Sequence, residues 1–175
     1  MNILKYFSFF LVLSLMGCAT PFPNQKIKGS TFPSVLGDSL DGKKWKIPEE
    51  LTEKTSILIL GYKQNSQFDI DRWLIGIDQL QITTKVYELP TIKGFFPRMF
   101  KPYIDNGMKK GIPKDMWGGV ITIYKDGKNI QKFTGNENPN NARVVVINNK
   151  GVVQFFYDEG FSTSALNKLK SIINE

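Results

Sequence analysis

The 175-residue chain has no histidine and a single cysteine, Cys18. Without histidine there is no Ser-His-Asp triad and no Cys-His nucleophilic pair. Together the two scarcities leave no His/Cys set for a transition metal. A membrane-spanning run is missing as well. The apolar run Tyr6 to Met16, interrupted only by Ser8 and Ser14, is shorter than the about 20 residues a bilayer span needs. No internal repeat or low-complexity tract occurs. Acidic residues are in the minority, since 23 Lys and Arg against 16 Asp and Glu give a net charge of +7. That balance suits acidic surfaces or anionic lipid, and a solvated lysine-rich surface equally well.

What is present begins with a signal. Lys5 precedes the apolar run, which has the length of a secretory h-region. The run closes on Leu15-Met16-Gly17-Cys18, which resembles a bacterial lipobox, with small Gly17 before the cysteine and Leu15 three positions upstream. The resemblance implies a signal peptide over residues 1–17 and a Cys18 that is acylated as the new N-terminus. Several acyl chains, at about 0.8 kcal/mol per buried CH₂, hold a protein stably to a bilayer. Ala19 follows, not Asp. In a Gram-negative envelope, likeness to sorted lipoproteins then implies the outer membrane, facing the periplasm. Residues 18–29, rich in polar side chains and with two prolines, read as a lipidated N-terminus and linker that sets the domain some tens of Å from the lipid.

Residues 30–175 read as one α/β domain. Asp41-Gly42 predicts the turn of a short hairpin containing Trp45, and Glu49 to Leu51 a helical turn after Pro48. "SILILGY", Ser56 to Tyr62, is apolar enough for a strand buried on both faces. Ser66, with Asp69 three residues on, predicts a capped helix carrying Ile70, Trp73 and Ile77 at helical spacing. "TKVYELP" and "GGVITIYKD" read as strands, Lys128 to Phe133 as a short helix, and "ARVVVINNKGVVQFFYD" as a hairpin turning at Asn148–Gly151. A last helix starts at Ser162 or Ser164. Between them "FFPRMFKPYIDNGMKKG" predicts an amphipathic helix with Pro97 in its first turn and a bend at Pro102. Its Phe96, Met99, Phe100, Tyr103 and Ile104 share one face, expected to pack inward as core. Asp69 and Asp71 fit complementation of a helix dipole. "NENPNN" reads as a loop with too few carboxylates for calcium.

This order of elements resembles the thioredoxin-like superfamily, in its peroxiredoxin-like branch. The pattern is closer still to the ATP synthase assembly-factor family of mitochondria and its bacterial relatives. The matching pieces are Phe32-Pro33 with Gly37 and Leu40, Tyr62-Lys63 followed by Trp73, Tyr87-Glu88-Leu89-Pro90, Gly107-Met108-Lys109-Lys110 and Ala142 to Gly151. That family often has Arg where Lys63 stands. The resemblance implies a three-layer sandwich, a mixed central sheet flanked by helices, with an N-terminal β-hairpin. In redox members the reactive thiol follows the first core strand at a helix N-terminus, where free N–H groups favour thiolate. Here that place is Lys63-Gln64-Asn65-Ser66-Gln67, with no cysteine. The superfamily's later proline is also missing, with Ala142-Arg143 near its place. Thiol redox catalysis is therefore not expected.

The remaining candidates are for binding. Lys63, Gln64, Asn65 and Ser66 could present a helix N-terminus to an anion, or simply start a helix. Glu88 is an isolated acid near a strand end. Arg98 and Lys101, with Lys93, Lys109 and Lys110, could meet an acidic protein surface or anionic lipid, or be the wet side of a helix. No cofactor, metal or nucleic acid is expected. The sequence reading is a lipid-tethered, redox-inactive binding or assembly module with a protein partner. The alternatives are an enzyme with non-thiol chemistry around Lys63, Ser66 and Glu88, or a structural envelope lipoprotein.

Overall fold

A computed structural model describes residues 21–51, 55–94 and 99–173. Cys18 and Arg98 lie outside the described residues, as do Phe96 and Pro97. The chain has the thioredoxin-like fold implied by its element order. Strands β3 (Ser56–Gly61), β4 (Val86–Pro90), β6 (Arg143–Ile147) and β7 (Val153–Tyr157) form a sheet in the order β4-β3-β6-β7. The β3–β4 pair is parallel, with helix α1 (Gln67–Gln79) as its crossover; the other pairs are antiparallel, so the sheet is mixed. β3 and β6 are buried along their whole length, as their unbroken apolar runs require.

A second sheet has the order β2-β1-β5, from β1 (Val35–Ser39), β2 (Lys44–Ile47) and β5 (Ile121–Thr122). β1 and β2 are the expected hairpin, turning through Asp41-Gly42 with Gly42 at positive φ. β5 is much shorter than its sequence suggests, because Gly118 and Gly119 close a 3-10 turn, Lys114–Gly119, in place of extending the strand. Single parallel bridges, Glu88 to Val120 and Thr91 to Ile123, join β5 to β4 and link the two sheets.

Two apolar layers hold the sandwich together. On one face α1 and α4 (Thr163–Ile173) cover Ile57, Ile59, Val144 and Val146, with Trp73 edge-on to Phe161 at 5.5 Å and to Tyr157 at 5.8 Å. On the other, Leu58, Leu60, Tyr87 and Val145 pack beneath the β1–β2 hairpin and α3 (Gly127–Thr134) through Phe32, Ile47, Ile123 and Ile130. Ser162 starts α4 as expected, accepting from the Ala165 N–H at 3.4 Å.

Three sequence expectations are corrected. The segment expected to be a spacer is docked from residue 22 onward. The Phe22 N–H donates to Asn136 Oδ1 at 2.5 Å, the Asn136 N–H donates to the Phe22 carbonyl at 2.9 Å, and Ile27 is buried. Gly135, at φ 79°, admits this strand of chain, since a Cβ there would stand 2.3 Å from Asn24 Cα. Second, helix α2 (Lys101–Gly111) has Pro102 in its first turn, where the missing N–H costs nothing, so the proline starts the helix and does not bend it. Third, the aromatic face of this helix is not core. α2 has no buried residue, and Met99, Phe100 and Tyr103 are 62%, 59% and 81% exposed.

Candidate functional site

The C-terminal ends of β3 and β4 meet the start of β6, where Leu60 pairs with Arg143 and Gly61 with Pro90. This is the end at which redox members of the resembling superfamily carry a thiol. Here β3 runs into Tyr62 and Lys63, then a 3-10 turn, Gln64–Ser66, and α1. Lys63, Gln64 and Asn65 are exposed, whereas Ser66 is buried. Ser66 does not cap α1 as its position suggests. Its hydroxyl donates to the Lys63 carbonyl at 2.6 Å, closing the turn below the helix. A hydroxyl so placed is buried and spends its proton on a backbone acceptor. Gly61 faces it closely, since a Cβ there would stand 2.7 Å from Ser66 Oγ and 2.9 Å from Ile70 Cδ1.

Asp69 is likewise more than a helix-dipole partner. Its carboxylate is buried and accepts from the Ala142 N–H at 2.8 Å and the Phe161 N–H at 2.6 Å. It ties α1 to the entry of β6 and to the approach of α4. Beside it lies Arg143, fully buried at the head of an otherwise apolar strand. Nη1 donates to the carbonyls of Asn138 at 2.6 Å and Asn141 at 2.7 Å, and the guanidinium sits 4.8 Å from the Tyr62 ring centroid. The Tyr62 hydroxyl hydrogen-bonds Thr134 Oγ1. Burial lowers the Arg143 pKa and raises those of Tyr62 and Asp158, while Arg143 pulls the Asp158 carboxyl back down. The position next to the missing proline is thus filled by a cation held between an aromatic ring and backbone carbonyls.

Glu88 stands on the α1 side of the same end, on β4. Burial, and after it the charge of Asp71, push its carboxyl up to about 7, and a hydrogen bond from Gln67 opposes the shift. Gln67 Nε2 also donates to Asp71 Oδ1 at 2.9 Å. The acid that looked isolated in sequence therefore has neighbours, Gln67 and Asp71, at the start of α1. Lys101 is not part of this group. It pairs with Asp105 and lies 3.7 Å from Asp38, beside Tyr124. Of the sequence candidates the structure brings together Lys63 to Ser66 and, next to them, Glu88. Sequence reasoning missed Tyr62, Asp69 and Arg143 as one buried group. Its only trace was a lone arginine opening a run of valines.

A groove of about 930 Å³ opens at the opposite end of the sheet, lined among others by Lys43, Trp45, Lys85, Tyr87 and Asn149. Both ammonium groups already lie over rings, Lys43 3.5 Å from Trp45 and Lys85 5.1 Å from Tyr87. Among the described residues no group of three or more Asp, Glu, His or Cys could hold a metal ion, and no helix is long and apolar enough to cross a membrane.

Solved structures similar to this chain have the same fold. A thiol peroxidase from Chromobacterium violaceum aligns with TM-score 0.59 at 11% identity, over 87% of this chain and 90% of that one. A SCO1/SenC family lipoprotein from Bacillus anthracis aligns with TM-score 0.57 at 11% identity, over 87% and 100%. The pneumococcal exposed lipoprotein thioredoxin from Streptococcus pneumoniae aligns with TM-score 0.53 at 10% identity, over 82% and 100%. No protein-family model and no curated protein matches the chain. The fold is thioredoxin-like, and the thiol position of that fold holds no cysteine in this chain.

Proposed function

We propose that this protein is a lipid-tethered thioredoxin-like module that acts by binding a protein partner, in the manner of an assembly factor, and does not exchange electrons. One observation carries the reading. The end of β3 holds no thiol, its Ser66 hydroxyl is committed to the Lys63 carbonyl and its Tyr62 hydroxyl to Thr134 Oγ1, and Arg143 lies against the Tyr62 ring. The tether rests on the lipobox-like sequence ending at Cys18. The solved neighbours described as lipoproteins agree with an envelope address. The assembly role rests on the short sequence pieces that resemble the mitochondrial assembly-factor family, and the place of work differs. What carries over is contact with a protein, not the ATP synthase as client.

The test has two parts. Membrane-bound protein carrying a photo-crosslinking residue in place of Lys63 is expected to give a discrete adduct with one protein species. The same preparation is expected to show no disulfide or peroxide turnover above buffer. Turnover lost on replacing Cys18 would overturn the reading. A second reading, acid-base catalysis by Glu88, is favoured by its carboxyl at about 7. Turnover of any substrate lost in Glu88→Gln, with folding intact, would select it. A purely structural envelope role is selected instead if deletion changes permeability and substitutions at the Lys63 loop change nothing.

A further inference from the structure

The docked N-terminal segment fixes where a tether would leave the fold. Phe22 is bonded in both directions to Asn136, and the Glu137 N–H donates to Asn24 Oδ1 at 3.2 Å. Cys18 is four residues before Phe22, and an extended chain spans at most about 3.6 Å per residue, so the two lie within about 14 Å. The point of exit is beside the loop that follows β4, with Lys93 Nζ 5.8 Å from the Phe22 ring centroid. Six residues beyond Lys93 begins the apolar patch of Met99, Phe100 and Tyr103. Its outward direction is enforced from beneath. Asp105 accepts from the Tyr124 hydroxyl at 2.7 Å and pairs with Lys101, so Ile104 and Met108 turn inward and Tyr103 faces out. Residues 99–114 carry four lysines against one aspartate, and that aspartate is the one already paired.

From this geometry we infer that the exposed apolar patch of Met99 and Phe100, at the entry to α2, and Tyr103 on it, in a lysine-rich stretch of chain, is a second membrane contact that lies on an anionic phospholipid surface. The inference rests on the tether proposed for Cys18. A domain held within about 14 Å of the bilayer presents the exit side to the lipid, and the patch that starts six residues of chain beyond Lys93 has the composition such a surface takes up: apolar rings for the acyl boundary and ammonium groups for the phosphates. A tether of this length orients the domain, whereas a flexible spacer of tens of Å would leave the orientation free.

The experiment uses the full chain, purified as the acylated protein and reconstituted in vesicles of phosphatidylethanolamine with phosphatidylglycerol, or of phosphatidylcholine alone. An environment-sensitive fluorophore is placed through Tyr103→Cys, and in a second preparation through Lys150→Cys, in the β6–β7 turn at the other end of the sheet. Mass spectrometry reads the state of Cys18 in each. The expected result is a several-fold rise and blue shift of the 103 emission in anionic vesicles, a smaller one in phosphatidylcholine, and none at 150. Met99→Ser with Phe100→Ser, both at exposed positions, should abolish the rise while the chain stays folded and vesicle-bound. Water-like emission at 103 with Cys18 acylated overturns the docked face and leaves the tether standing. An unmodified Cys18 in the mature chain overturns the tether and the docking with it. A 103 signal that fades as the protein is diluted within the bilayer assigns the patch to a second copy of the chain, and also overturns the proposal.

Discussion

Two parts of this molecule combine a cation with aromatic rings, and they come out opposite. At the head of β6, Arg143 is fully buried against Tyr62, with two backbone carbonyls to receive its protons. At the start of α2, Phe100 and Tyr103 stand in solvent in a lysine-rich stretch of chain. The difference lies in the available partners. Arg143 leaves water with one nitrogen, Nη1, bonded to two fixed carbonyls and its planar face on a ring, while its Nε and Nη2 are buried with no hydrogen-bond partner. The α2 ammonium groups find their partners at the surface, Lys101 on Asp105 and Asp38 and Lys109 over the Trp117 ring at 4.9 Å, so that helix stays in contact with water and its rings stay with it. The buried pair is part of the architecture. The exposed one is free to touch something else.

The comparison breaks first, and hardest, at Asp69. Replacing it with alanine leaves the buried Ala142 N–H and the half-buried Phe161 N–H without their carboxylate, and is expected to cost about 3–4 kcal/mol in chemical denaturation. Arg143→Ala comes next, with about 3 kcal/mol lost as the Asn138 and Asn141 carbonyls and the Tyr62 ring lose their partner. A loss below about 1 kcal/mol in either would mean the buried cluster is not the lock described here. A third measurement concerns pH. The folded Glu88 carboxyl, at about 7, lies above its ordinary value of 4.5, so the folded state holds the proton more tightly than the unfolded chain. Its contribution is complete below pH 4.5 and is lost as the pH rises through 7, by on the order of 2 kcal/mol for this half-buried group. Half-buried Asp158, also raised, acts in the same direction. Glu88→Gln should flatten most of the slope between pH 5 and 7, as read by unfolding midpoints at a series of pH values. The smallest effect is at the surface. Phe100→Ser and Tyr103→Ser should each change folding stability by less than about 0.5 kcal/mol, although each removes a large ring. A loss above about 1 kcal/mol in either would return the α2 face to the core.

The contrast also separates what the sequence could say from what it could not. Elements set by local pattern were legible: the apolar β3 and β6 runs, the helical spacing of Ile70, Trp73 and Ile77, the Asp41-Gly42 and Asn148–Gly151 turns, and Ser162 at the start of α4. The absence of a thiol after β3 was legible because it is a matter of identity alone. The partners of Asp69 were not. They lie 73 and 92 residues away, and a local window sees only a carboxylate in a helix's first turn. Ser66 misled for a related reason. Its position suggests a cap, yet a 3-10 turn before the helix offered a nearer carbonyl. On α2 the pattern gave a helix with two unlike faces, but periodicity cannot say which one finds a neighbour.

The N-terminal segment has one more effect, at the opposite margin of the main sheet. β7 is the last strand of that sheet, and an uncovered strand margin offers bare amide and carbonyl groups to any passing chain. At the first residue of β7 both are taken, since the Gly29 N–H donates to the Val153 carbonyl and the Val153 N–H to the Ser30 carbonyl, each at 2.8–2.9 Å, with Thr31 bridged to Val152 alongside. The stretch that begins the fold therefore also blunts its border against strand-to-strand polymerisation, a safeguard of some value to a protein whose tether would crowd many copies onto a single plane.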